Sequence, residues 1–194
     1  MEHTDDSDGI AQANDILNVD EYSLCDDKIT VFGNLPYNIS TEILSKWIVN
    51  LKNNFWFNHL ILMFQKEVAD RIISNFNNST YGRLSILANW KLNVKKICDI
   101  MPESFSPRPK IDSSLLLFTP KENFFKLKDA KNLEKITRIF FSQRRKMLKK
   151  PFNQIFKNAK EVSEKFKIDL NLRPQNLEPN TYFNLVKEYE ISRG

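Results

Sequence analysis

Glycine is almost missing from this chain, with four residues in 194: Gly9, Gly33, Gly82 and Gly194. No two are close enough in sequence to build a glycine-rich turn, the device that lets a backbone approach a phosphate or cofactor at the start of a helix. Cysteine and histidine are equally sparse, two of each (Cys25, Cys98, His3, His59). Their spacing makes neither a metal-ligand set nor a disulfide framework, so both thiols read as reduced and no metal is expected. No apolar run approaches the ~20 residues that a membrane-spanning helix requires. The opening Met1-Glu2-His3-Thr4-Asp5-Asp6 is too acidic for a targeting peptide, so no membrane and a cytoplasmic location are expected.

Basic residues are also missing where the chain begins. Residues 1–27 carry nine carboxylates and no Lys or Arg, although the whole chain has a net charge of +5. The excess lies instead between positions 126 and 167, with its densest knot at Arg144-Arg145-Lys146, followed by Lys149 and Lys150. Clustered cations of this kind are the electrostatic footprint of a nucleic-acid backbone. A solvated helix face that only keeps the protein soluble is the alternative.

With 41% hydrophobic residues the chain can bury a core. Lys28-Ile29-Thr30-Val31-Phe32 reads as a short buried strand ending at Gly33. Ser40 reads as the cap of a helix from Thr41 that carries Ile43, Leu44, Trp47, Ile48 and Leu51 on one face. Asn34-Leu35-Pro36-Tyr37 then lies between a strand and a helix, where ligands bind in open α/β sheets. The Asn34 side chain offers one acceptor, and Pro36 stiffens the turn so that a neighbouring backbone carbonyl offers a second. Two acceptors suit an exocyclic amine with two hydrogens, and Tyr37 adds a plate on which a nucleobase can stack. The plainer reading is a turn in which Pro and Asn are turn formers and Tyr37 is half-buried.

Residues 59–64 read as a central strand, 66–76 as the next helix, and 84–92 as helix or strand on pattern alone. Three prolines make 102–109 a loop, and 114–119 is the closing strand. Alternating strands and helices predict a mainly parallel sheet, with the late strands antiparallel at one edge. Beyond Pro120 only helices are predicted, at 130–141, 147–156, 162–166 and 181–189.

Several blocks resemble, in order, the ribosomal RNA adenine dimethyltransferases, specifically the bacterial type that modifies two adjacent adenines near the 3′ end of small-subunit rRNA. They are Phe32-Gly33-Asn34-Leu35-Pro36-Tyr37-Asn38-Ile39-Ser40-Thr41, Gln65-Lys66-Glu67-Val68-Ala69-Asp70-Arg71, Tyr81-Gly82-Arg83-Leu84-Ser85, Phe105-Ser106-Pro107-Arg108-Pro109-Lys110-Ile111-Asp112-Ser113 and Gln143-Arg144-Arg145-Lys146. The resemblance implies an α/β fold, a partial Rossmann-like methyltransferase sheet followed by a small helical domain. The expected division is an acidic disordered lead over 1–12, a truncated methyltransferase domain over 13–121 and an RNA-binding domain over 122–194. It implies S-adenosylmethionine as cofactor, with Asp15 and Asn34 at its adenine end. Asn34, Leu35, Pro36 and Tyr37, with Phe105 on the far side of a flipped adenine, are the implied catalytic residues. Arg108, Lys110, Arg144, Arg145 and Lys146 are the implied RNA contacts. The implied partner is small-subunit rRNA or the 30S-type particle, with the protein monomeric if complete. The Gly-rich turn and ribose-binding acid that the family places upstream are absent from these residues, so the chain alone is not expected to hold the cofactor. Two other readings stay open: a non-catalytic RNA-binding or ribosome-assembly protein that keeps the adenine pocket, and an adenine methyltransferase acting on large-subunit rRNA or DNA.

Overall fold

A computed structural model describes residues 16–24 and 26–193. The acidic lead, Asp15 and Cys25 lie outside the described residues. Four strands form one sheet in the order β1-β2-β4-β3: β1 is Ile29–Asn34, β2 Phe57–Gln65, β3 Leu92–Ile100 and β4 Ser113–Pro120. β1 and β2 are parallel, while β4 is antiparallel to both β2 and β3. The expected α/β class is present, but the mainly parallel sheet is corrected to a mixed one. The closing strand does not sit at an edge; it is inserted between β2 and β3. A loop rather than a helix joins β3 to β4, so β4 turns back on β3 as an antiparallel neighbour.

The buried first strand is also corrected. None of the six residues of β1 is buried, and Phe32 is 76% exposed. Among the described residues β1 is an outer strand with one neighbour, so its apolar composition is not matched by cover on both faces.

Helices α1 (Ser40–Asn50) and α3 (Arg83–Lys91) pack against each other beside the sheet, and α2 (Lys66–Ile73) contacts β3 and β4. α2 stops three residues earlier than its apolar pattern predicts. The ambiguous stretch 84–92 is helical as far as Lys91, with Leu92 opening β3, and Ser85, Ile86, Leu87, Ala88, Trp90 and Lys91 of the helix are all buried. A helix enclosed on several sides has no polar stripe from which a period can be read. α4 (Ala130–Ser142), α5 (Lys149–Ile155), α6 (Ala159–Lys165) and α7 (Pro179–Ile191) follow. Leu133, Ile136 and Phe140 of α4 are fully buried, and the Phe140 ring lies 5.6 Å from Phe152 and 5.4 Å from Tyr182. α4 also contacts α1 and α3, so one buried hydrophobic cluster runs from the sheet into the C-terminal helices. Burying apolar area at about 25 cal/mol per Å² is what holds these layers together.

Polar groups close the helix ends. Asp129 accepts from the Lys131 backbone N–H at 2.8 Å, and the buried Glu190 of α7 accepts from the N–H groups of Lys128 and Asp129 at 3.0 and 2.9 Å. A carboxylate at a helix N-terminus satisfies orphan donors and opposes the helix dipole favourably.

At the other end of α3, Lys91 is buried, donates to the Leu51 carbonyl and lies 4.1 Å above the Trp90 ring. Burial, with a smaller contribution from Lys126, lowers its pKa from 10.5 to about 8. The folded state therefore binds fewer protons than the unfolded state between those values, and stability is expected to rise as pH increases through that window. Lys91→Met is expected to flatten this rise. Urea unfolding of parent and variant at pH 7.5 and pH 10 measures it, and an unchanged slope would show that Lys91 keeps its proton.

Candidate active site and nucleic-acid interface

Asn34 is the last residue of β1, paired in register with Met63, so its position is set by the sheet. Its side chain is exposed, and the carboxamide makes no hydrogen bond among the described residues. Leu35 turns inward and is 6% exposed, which anchors the turn in the core. The Pro36 carbonyl accepts from the Ile39 N–H at 3.1 Å. That leaves the Leu35 carbonyl as the second acceptor of the turn without a partner among the described residues. Gly33 beneath it is tightly enclosed: a Cβ there would stand 2.8 Å from Leu62 Cδ2.

Ser40 does not cap α1 as its position suggests. The helix begins one residue earlier, at Ser40 itself, and the hydroxyl donates back to the Tyr37 carbonyl at 3.3 Å. Tyr37 is half-buried, with its hydroxyl 2.9 Å from Ser113 Oγ at the start of β4. Phe105, also half-buried, follows the short 3-10 turn Pro102–Ser104 beyond β3. Ile100 and Gln65 both pair with Ser113, so the ends of β2 and β3, the start of β4 and the loop bearing Phe105 share one end of the sheet. Asp99 anchors this end. Its carboxylate accepts from Lys66 at 2.7 Å, Ser114 at 2.6 Å and Lys96 at 3.0 Å, and these bonds, the one from Lys66 above all, hold its pKa well below the usual carboxylate range.

The basic residues fall into three settings. Arg108 is exposed and paired with Glu103 across its own loop, and Lys110 is exposed beside Asp112 and the start of α2. Arg144 is turned inward: it donates to the Ser79 carbonyl and, at 3.5 Å, to Gln175. Arg145 and Lys146 are exposed and line a cavity of about 630 Å³ with Lys149, Lys150 and Arg173, and the described residues that line it include no carboxylate. Arg173 is a basic residue that sequence reasoning missed. It is isolated in sequence, and the bonds from Leu148 N–H to the Leu172 carbonyl (2.8 Å) and from Lys149 N–H to the Leu170 carbonyl (3.1 Å) bring its segment here.

A turn offering two acceptors beside an aromatic ring, with a cationic cavity on the helical part, coincides with the matches to known proteins. Residues 10–190 match the family described as ribosomal RNA adenine dimethylase. The chain belongs to this family.

Ribosomal RNA small subunit methyltransferase A of Pelagibacter ubique is 81% identical over 180 residues, which cover 93% of this chain and 69% of that protein. The protein of the same name from a Wolbachia of Drosophila simulans is 41% identical, covering 91% and 64%. The chain thus spans about two thirds of the length of these relatives. Among solved structures, a dimethyladenosine transferase from Plasmodium falciparum is 27% identical with a TM-score of 0.68, covering 85% of this chain and 68% of its own. The 23S rRNA methyltransferase ErmE, at 14% identity and a TM-score of 0.60, shares the fold. Membership of this family accounts for the Rossmann-like arrangement, in which β1 ends at the acceptor turn. Methyltransferases of this family use S-adenosylmethionine. Neither described glycine, Gly33 or Gly82, has a positive φ.

Proposed function

We propose that this chain carries the target-adenine half of a small-subunit rRNA adenine N6-dimethyltransferase, together with its RNA-binding part. The observation that carries this is a pair of acceptors with no partner among the described residues, Asn34 Oδ1 and the Leu35 carbonyl, at the end of β1 beside Tyr37. S-adenosylmethionine, whose adenine end Asp15 would hold, would supply an electrophilic methyl carbon. The adenine amine is a weak nucleophile because its lone pair is delocalised into the ring. Asn34 and the Leu35 carbonyl accept its two N–H groups, orient the lone pair and stabilise the positive charge that develops on nitrogen. No side chain with a raised basicity is required, because the nitrogen becomes acidic once alkylated and would give up its proton to water.

The base must leave its stack, at a cost of a few kcal/mol, and faces on Tyr37 and Phe105 offset it. Arg145, Lys146, Lys149, Lys150 and Arg173 meet the phosphates, with Arg108 and Lys110 nearer the turn. The names of the relatives favour small-subunit rRNA over large-subunit rRNA or DNA.

Salt titration of RNA binding tests the reading. Replacing Arg145 and Lys146 with Ala is expected to weaken binding to small-subunit rRNA and to lower the slope of log K against log salt by about 1.4–1.8, from two lost phosphate contacts. Arg144→Ala is expected to change the slope less and stability more, because its guanidinium is already bonded to Ser79 and Gln175. A slope unchanged by the double substitution would remove the cavity from the RNA path.

A further inference from the structure

The contact between Tyr37 and Ser113 joins residues 76 positions apart, across the gap between the acceptor turn and β4. Building on the reading of Tyr37 as the face that receives the adenine, we infer that Ser113 is a positioning residue that fixes where that face stands. The Ser113 hydroxyl is fully buried and lies 2.9 Å from the Tyr37 hydroxyl. Its backbone is held on both sides, paired with Gln65 of β2 and with Ile100 of β3. The residue before it, Asp112, accepts from the Lys66 N–H at 3.0 Å, and the residue after it, Ser114, donates to Asp99 at 2.6 Å. Ser113 is therefore a rigid post.

Tyr37, by contrast, sits in a turn and is half-buried. A phenol pinned at its hydroxyl cannot swing about the Cα–Cβ bond, so the ring waits in one place and the base does not bear the entropy of ordering it. The same bond also occupies the hydroxyl. Tyr37 thus meets the RNA through its ring face, and its oxygen serves the protein.

The test uses the 194-residue chain and an RNA hairpin with two adjacent loop adenines, one replaced by 2-aminopurine, whose emission reports stacking. Ser113→Ala and Tyr37→Phe are each expected to weaken binding about three- to tenfold, the worth of one hydrogen bond. Each should also leave the bound 2-aminopurine less quenched. The double variant should be no weaker than either single one, because both remove the same bond, and Ser113→Thr should restore the parent value. Tyr37→Ala should lose about tenfold or more. Ser113→Ala indistinguishable from the parent while Tyr37→Ala is impaired would overturn the positioning role and leave the stacking reading standing. Tyr37→Ala without effect would overturn the stacking reading, and the positioning role with it. Additive losses in the double variant would mean that Ser113 acts only on the stability of β4.

Discussion

Asn34→Ala is expected to lower methyl transfer by about a hundredfold or more, the scale seen when one preorganised polar group aimed at a developing charge is removed. The assay needs a polypeptide that joins this chain to the part of the Pelagibacter ubique relative that it does not match, and follows labelled methyl groups into small-subunit rRNA. The effect should be large because positioning is most of the catalysis on this reading: the amine has two hydrogens, the turn has two acceptors without partners among the described residues, and removing one lets the lone pair wander from the line of attack. Folding should be nearly untouched. Asn34 is exposed and its carboxamide bonds to nothing among the described residues, so its loss removes no packing. The loss should fall on turnover while RNA affinity, carried mostly by phosphate contacts, stays near the parent value. Near-normal turnover would reduce Asn34 to the residue that ends a strand.

The 194-residue chain itself is expected to bind S-adenosylmethionine more weakly than about 1 mM, a free energy of only ~4 kcal/mol. On the proposed reading, Asp15 would meet only the adenine end of the cofactor. The methionine end needs backbone N–H groups at close range, which a glycine-rich turn provides, and the four glycines of this chain are scattered at 9, 33, 82 and 194. Gly33 is enclosed by Leu62 and Leu35, so it serves the packing beneath the acceptor turn. A ligand gripped at one end loses its translational and rotational freedom for a fraction of its contacts. Calorimetric titration decides the matter: micromolar affinity would mean that the residues around Gly9 and Asp15 build a cradle of their own.

The turn from Asn34 to Tyr37, between β1 and α1, was legible in sequence because a bend of this kind is specified by local covalent chemistry. A strand of β-branched residues, an Asn, a Pro and a Tyr in succession specify both the bend and what it offers. The basic knot was legible only in part: Arg145 and Lys146 line one cavity, whereas Arg144 turns away to Ser79 and Gln175. The blocks shared with the family extended this reading to Phe105 and to the late loop, where no local pattern identifies a stacking partner. Helix ends were read to within a few residues, and α3 was ambiguous only because it is enclosed.

By itself the sequence determined the elements that border the site, the chemistry of the Asn34–Tyr37 turn, the sparsity of glycine and the cationic bias of the C-terminal part. Tertiary structure decided what distant residues do to them. It placed β4 between β2 and β3, which delivers Ser113 to Tyr37. It turned Arg144 toward Ser79 and brought Arg173 to Arg145 and Lys146. It left β1 as an outer strand with Phe32 exposed. The physical reason is that a side chain's chemistry is local, whereas burial and hydrogen-bond partners depend on which strands and loops become neighbours. That choice is made by the packing of the whole core.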